Sequence, residues 1–509
     1  MYRIITIIFY LIICNAPVYA QGWEWGKGSI GNTIESWPVA TDHTGNVYVA
    51  GVSSGAVSFD SYDLVFAVGS HPCVVAKYDW NGNFLWSRST GNSINTYPVN
   101  ITTDASGNCY LLGWLSGKEV TLGSYTLHNA AYPDAQYFIV KFDPMGNITW
   151  ATCAGGMTGQ LKAPPVSLSS VYTANVLGTG GIVTDATGNI YVTTGFNLPE
   201  VTVGPAMLTN KDASGATNDI LLVKYDPSGN VLWAKSSGGA GDDIPCAITI
   251  TPAGSIYITG VFNSDSANFG PSVVRNTNPA PRPWNAFISR YDAAGEPVWA
   301  TGSGGTGNTY AAGLTSDTSS NVYITGGTAE NALSFNGTSV TNPYPGNPVL
   351  YLLKFTSSNN VGWSKTIGSP SGGIASGYSV AFSANNRVWV CGAFSNEVSI
   401  DGHIVQRPQS SIDPVFIAGY NTDGSYVAAD ALQSGSAHQS GIACDTQGNV
   451  YLCSDYQYPC YPFIIANYVL PTVTAGESWQ YLAKYTFTIS GSGGPVTVNT
   501  CLLYTSPSP

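Results

Sequence analysis

The chain has 509 residues, with 18 Lys and Arg against 30 Asp and Glu, a formal net charge of −12 and only 9% charged residues. So little basic charge, with no Lys/Arg cluster, excludes a nucleic-acid footprint, because phosphate binding needs concentrated cations. Length alone suggests roughly two to four domains, while 58 Gly and 12% aromatics suit one turn-rich all-β chain with half-buried strands.

In chain order, residues 1–20 carry Arg3, an apolar run from Ile4 to Ile13, and Val18-Tyr19-Ala20 ahead of Gln21. This pattern reads as a secretory signal peptide cleaved after Ala20. Ile13 before Cys14 stands where a lipid-attachment site wants a small residue, so lipidation is set aside. No later apolar run reaches the ~20 residues of a membrane span. The expected product is exported, secreted or on the cell surface.

Gly22-Trp23-Glu24-Trp25 follows, an orphan apolar strand. A repeat then begins. Tyr48, Tyr110, Tyr191, Tyr257, Tyr323, Trp389 and Tyr451 each sit in a short β-branched run behind a tight turn, at spacings of 62, 81, 66, 66, 66 and 62 residues. A second run ends near Lys77, Lys141, Lys224, Arg290, Lys354, Gly419 and Lys484, and leads through another turn to Trp86, Trp150, Trp233, Trp299, Trp363 and, degraded, Ala428. In the fourth unit the runs are Ala247 to Ile250, Ile256 to Gly260, Ala286 to Tyr291 and Pro297 to Ala300. Four strand signals at this period mark a β-propeller.

No Trp strand follows Lys484-Tyr485, and Trp23-Glu24-Trp25 lies about the right distance ahead of Tyr48. The N-terminal strand is therefore expected to complete the last blade, which leaves no open sheet edge. The predicted fold is all-β: a seven-bladed β-propeller of four-stranded antiparallel blades over residues 21–488, closed by the N-terminal strand. Residues 489–500 read as a Gly/Ser/Pro linker. Residues 501–509 share nothing with the repeat and resemble a translated adaptor, so a truncated C-terminus is expected there.

In each unit the turns joining strands 1–2 and 3–4 are short and Asp/Gly-rich. The 2–3 and 4–1 connections are long and variable, the largest running from Ala154 to Gly181. Binding residues concentrate on loops held by a rigid scaffold, so this second face is the expected working face. An aromatic ring or imidazole precedes the first strand at Trp37, Tyr97, Tyr310, Tyr378 and His438. These five are the candidate ligand-binding residues, a collar on which a flat-faced sugar could stack; inter-blade packing is the competing explanation.

Asp42, Asp104, Asp185, Asp317 and Asp445 would ring the opposite mouth, either as a cation site or, more economically, as caps of their own turns. Eight cysteines remain between the signal and the tail (Cys73, Cys109, Cys153, Cys246, Cys391, Cys444, Cys453 and Cys460), an even number that permits disulfides without specifying them. None has zinc spacing. The innermost strands carry no charged side chain apart from the terminal Asp, and paired titratable groups are what acid–base catalysis needs. No catalytic residue, metal or cofactor is assigned.

The paired blocks D-x-x-G-N-x-Y-x-x-G and K-Y-D-x-x-G-N-x-L-W, as in Asp104 to Gly113 and Lys224 to Trp233, resemble the SBBP (seven-bladed beta-propeller) repeat of secreted bacterial proteins. The resemblance erodes at Lys354-Phe355-Thr356 and Gly419-Tyr420-Asn421. It implies a propeller of mostly unassigned function, often followed by a C-terminal domain for surface sorting or type IX secretion, and supplies no catalytic residues. The reading is thus a secreted or surface-bound, monomeric, non-enzymatic binding or adhesion module. Its expected ligand is extracellular, a polysaccharide or a surface protein, with carbohydrate preferred. The alternatives are a polysaccharide lyase or hydrolase using Asp134, Asp242 and Asp243, and a structural spacer for a lost domain.

Overall fold

The computed structural model describes residues 19–31, 34–35, 38–67, 69–91, 96–129, 132, 135–153, 180–279, 282–408, 414–434, 440–457, 464–465, 468–470 and 478–489. Their regular structure is entirely β-strand. Seven four-stranded antiparallel blades form a ring. Their inner strands are Val39–Thr41, Thr96–Thr103, Gly181–Thr184, Asp243–Ile250, Thr309–Ser316, Ala375–Ser383 and Gly441–Cys444. Each blade then runs outward through a second, a third and an outer strand.

The seventh blade closes the ring. It consists of Gly441–Cys444, Val450–Gln457, Ser478–Ile489 and, as its outer strand, Tyr19–Gly31. Trp25 pairs with Lys484 as Trp86 pairs with Lys77 and Trp150 with Lys141. The closure expected from the repeat is therefore present, in register. Cleavage after Ala20 would remove only the first two residues of this strand.

The third-strand Lys and the outer-strand Trp explain each other. Trp86 Nε1 and Lys77 Nζ both donate to the Pro144 carbonyl of the next blade's outer turn, each at 3.1 Å. Trp150 and Lys141 do the same to Pro227 at 3.1 and 3.2 Å, and Trp363 and Lys354 to Thr422 at 3.0 and 2.8 Å. The ring of Trp86 seats on Gly146 of that turn, where a Cβ would stand 2.8 Å from it; φ there is +82°. Glycine is thus required twice, for its backbone and for the seat. Across the closing junction Trp25 seats on Gly82 and Lys484 Nζ donates to Trp80 at 3.2 Å.

Blade 6 breaks this rule for a topological reason. Gly419 and Ala428 replace Lys and Trp, and the next blade has no outer turn to receive them, because its third and outer strands come from opposite ends of the propeller. Trp389 fills the space instead: it covers Gly419 and meets Tyr485 edge-on, centroids 5.6 Å apart.

The 2–3 connections are more regular than the sequence reading held. Each contains a two-stranded hairpin, including Glu119–Leu122 with Tyr125–His128, Ser266–Phe269 with Ser272–Arg275, Ala332–Phe335 with Thr338–Thr341 and Glu397–Ile400 with His403–Gln406. Their inward residues, such as Val120, Leu122, Leu333, Phe335, Val398 and Ile400, are buried. The hairpins clad the junctions with the preceding blade: Ser29–Gly31 of the closing strand pairs with Val57–Phe59, and bridges join Gly238 to Asn268 and Gly368 to Ser399.

Seven cysteines fall among the described residues, and all are free thiols. The disulfides that the even number of eight permitted are not formed among these seven. Burial pushes the Cys246 and Cys391 thiols up to about 12. They act as small core residues. Cys460 lies outside the described residues.

Candidate functional site

The three collar positions among the described residues do not form one row. Trp37 and His438 lie outside the described residues. Tyr97 and Tyr310 occupy equivalent places, two residues ahead of a β-bulge in the inner strand, opposite Trp114 and Gly327. Tyr378 is itself the bulged residue of blade 6, so its phase differs. Tyr97 is 39% exposed on the long-loop side, whereas Tyr310 is 6% exposed and lies in a cluster with Ile244 and Val261. Tyr310 therefore serves inter-blade packing, and Tyr378 is half-buried against the blade 6–7 core.

The opposite mouth is built from hydrogen-bonded turns. Asp104 Oδ1 accepts from the amides of Ser106 and Asn108 at 2.9 and 3.0 Å, and Oδ2 accepts from Asn108 Nδ2 and the Tyr110 hydroxyl at 2.7 and 2.8 Å. Asp42, Asp185, Asp317 and Asp445 repeat this set, with Tyr48, Tyr191, Tyr323 and Tyr451 as the phenols. The motif thereby ties its Asp to its own Tyr six residues on. These carboxylates cap turns, and the only cations near them are lysines of the same blade: Lys77 Nζ is 3.5 Å from Asp42 Oδ2 and Lys354 Nζ 4.0 Å from Asp317 Oδ2 among the described residues.

Burial opposes ionisation of Asp104, but the bonds from Asn108, Tyr110 and Ser106 outweigh it and hold the carboxyl below its ordinary range. Asp42 and Asp185 are lowered against burial in the same way. Asp104→Ala should cost about 2–3 kcal/mol, since it strands the fully buried Tyr110 hydroxyl. A native value below the unfolded one, about 3.9, contributes stability above that pH and loses it as pH falls through the native value. Urea unfolding at pH 7 and at pH 3 should therefore show a gap between wild type and variant that shrinks in acid.

Inside this mouth, a directional chain of hydroxyls links the inner strands. Thr103 donates to the Thr41 carbonyl, Thr184 to Thr103, Ser316 to Ile250, and Thr41 across the closure to Cys444, at 2.8 to 3.1 Å. These four hydroxyls hold blades together, and the inner strands themselves carry one charged residue among the described residues, the fully buried Asp243.

Of the acids considered for chemistry, two lie among the described residues. Asp242 Oδ1 accepts the Asn218 amide and side-chain Nδ2, both at 2.9 Å. Asp243 is fully buried, out of reach of a polymer substrate, and Asp134 lies outside the described residues. No group of three or more His, Cys, Asp or Glu placed to hold a metal occurs among the described residues. The sequence reading missed Asp219, which is fully buried near Asp243. Its signal was positional: the strands that begin at Asp219 in blade 3 begin at Asn285 and Val349 in the next two blades.

No protein-family profile matches the chain. It is 24% identical over 371 residues to an uncharacterised WD repeat-containing protein of Acanthamoeba polyphaga mimivirus, a match covering 63% of this chain and 26% of that protein. It is 26% identical over 144 residues to the regulatory protein FlaEY of Caulobacter vibrioides, covering 28% of this chain and 15% of that one. The chain thus spans about a quarter or less of the length of these relatives. Among solved structures, an ulvan lyase of polysaccharide lyase family 25 superposes with a TM-score of 0.45 at 10% identity, over 86% of this chain and 93% of that one. The Pan2 WD40 domain of Neurospora crassa gives 0.41 at 8%, over 92% and 95%. Likenesses this distant pass no activity to this chain.

Proposed function

We propose that the chain is an exported, surface-acting binding propeller of the SBBP type, without catalytic function, that takes an extracellular ligand on its long-loop face. The observation that supports this most is a division of labour. The turn acids Asp42, Asp104, Asp185, Asp317 and Asp445 are consumed by turn caps, while Tyr97 is 39% exposed on the long-loop side. A partly exposed aromatic ring suits a carbohydrate, whose C–H face stacks while its hydroxyls bond outward.

Screening wild type against Tyr97→Ala on a glycan array tests the reading. Selective glycan binding that Tyr97→Ala abolishes, at unchanged melting temperature, is the expected result. Absence of glycan binding, or identical profiles for the two proteins, counts against it.

A further inference from the structure

The junction between blades 3 and 4 contains two carboxyl groups that the fold does not require. Asp219 opens the third strand of blade 3 and Asp243 the inner strand of blade 4, and both are 0% exposed. At the position of Asp243, where the inner-strand amide bonds back to the preceding blade, blades 2, 5 and 6 place Thr96, Thr309 and Ala375. The acid at each position is therefore an addition to the repeat.

Asp243 Oδ2 accepts the Gly239 amide at 2.6 Å and the Ser264 hydroxyl at 2.8 Å, and Asp219 Oδ2 accepts the Lys211 amide at 2.8 Å. The Oδ1 atom of each has no donor among the described residues. The two groups converge over Gly238. Asp219 Oδ1 crowds the point where a Cβ would stand, and Asp243 Oδ2 lies 3.1 Å from it. Two enclosed carboxylates this close cannot both be charged without a large electrostatic cost.

The surrounding charges do not relieve that cost. Lys211 is the cation acting on Asp219, and Asp212 opposes it; Asp242 adds negative charge beside Asp243. Nearby, Lys235 is engaged with Glu296 and Arg282 with Asp265, while Asn263 and Ser264, just past blade 4's second strand, are neutral.

We propose that Asp219 and Asp243 hold at least one proton at neutral pH, forming a carboxyl clasp that fastens blades 3 and 4 beneath the long-loop face and loosens when alkali removes that proton. Burial pushes Asp219 up to about 7 against the Lys211 amide bond and charge, and pushes Asp243 well above its ordinary range against the Ser264 and Gly239 bonds. A carboxyl raised above its unfolded value of about 3.9 leaves stability intact below that pH and erodes it as pH rises towards the native value. The window for Asp219 thus runs from about pH 4 to 7, and Asp243 extends it upward.

The clasp is tested on the whole protein by melting wild type, Asp219→Asn and Asp243→Asn between pH 5 and 9, with and without calcium chloride. The expected result is a wild-type melting temperature that falls by several degrees across this range, with a flatter profile in either variant. Infrared spectra of the wild type alone, at pH 6 and pH 9, should show the C=O stretch of a protonated carboxyl that diminishes with alkali. Parallel pH profiles in all three proteins, or no protonated-carboxyl band at pH 6, would overturn the proposal. So would a calcium-dependent rise in melting temperature confined to the wild type, which would make the pair a cation site.

Discussion

Replacing Trp25 by alanine is expected to lower the stability of the whole propeller by about 3–5 kcal/mol, the range for emptying a buried aromatic site. Trp25 is 3% exposed, lies on Gly82 of blade 1, and its ring is 6.0 Å from that of Tyr451. It therefore joins the closing strand to two other parts of the ring at once. Beside it, Glu24 accepts from Lys484 Nζ at 2.9 Å and from the Thr486 hydroxyl at 2.6 Å. These contacts are partly solvent-exposed, and such pairs contribute little, so they should not rescue the variant. Leu85→Ala, on the exposed outer strand of blade 1, is the comparison and should change stability by less than about 1 kcal/mol. Chemical denaturation followed by tryptophan fluorescence and circular dichroism gives both numbers.

Gly260→Ala should cost at least as much as overpacking usually does, about 1–3 kcal/mol, and more if the bulge cannot move. The final glycine of the repeat motif lies where the inner strand bulges outward. A Cβ on Gly260 would overlap the Ile244 carbonyl oxygen and stand 2.9 Å from Pro245 Cα. The same overlap recurs between Gly326 and the Tyr310 carbonyl, and between Gly392 and that of Ser376. Backbone atoms cannot rotate away as a side chain can, so the strand itself must shift. Gly362→Ala is the matched control: its Cβ would meet the flexible Lys354 side chain at 3.5 Å and the Lys354 carbonyl oxygen at 3.7 Å, both ordinary contacts, and it should be close to neutral. A Gly260→Ala protein as stable as wild type would show that the bulge yields.

The blade count, the strand order and the closing register were legible because each rests on a spacing: Tyr to Tyr, Lys to Trp, and Trp25 to Tyr48. The capping role of the turn Asp was legible from residue type alone. Less visible was the partnership between Lys, Trp and the next blade's turn, since it spans blades and only the ring geometry brings Lys77 and Trp86 to Pro144. The loss of both residues at Gly419 and Ala428 read as decay of the repeat; it is the consequence of a blade without an outer turn.

The hairpins had a local signal that was passed over. Asn336-Gly337 and Asp401-Gly402, at φ values of +48°, +79°, +49° and +86°, stand between alternating apolar residues, a strong mark of a two-residue hairpin turn. The collar was harder to place. Tyr97, Tyr310 and Tyr378 were grouped as aromatics just before the first strand, but Tyr378 lies two residues nearer its motif and occupies the bulge itself, where blades 2 and 5 place Val99 and Ala312. Asp219 and Asp243 were not recognisable as a pair because they are 24 residues apart and meet only where one blade abuts the next.

The ring is fastened by the strand at its amino-terminal end. Amide hydrogen exchange across residues 22–30, read by mass spectrometry, tests this directly. The expected result is protection comparable to that of the third strand Gln136–Phe142, because nine register pairs join this strand to Ser478–Ile489. Exchange within seconds, as for a free tail, would mean that the seventh blade has only three strands and that the propeller is not closed as described.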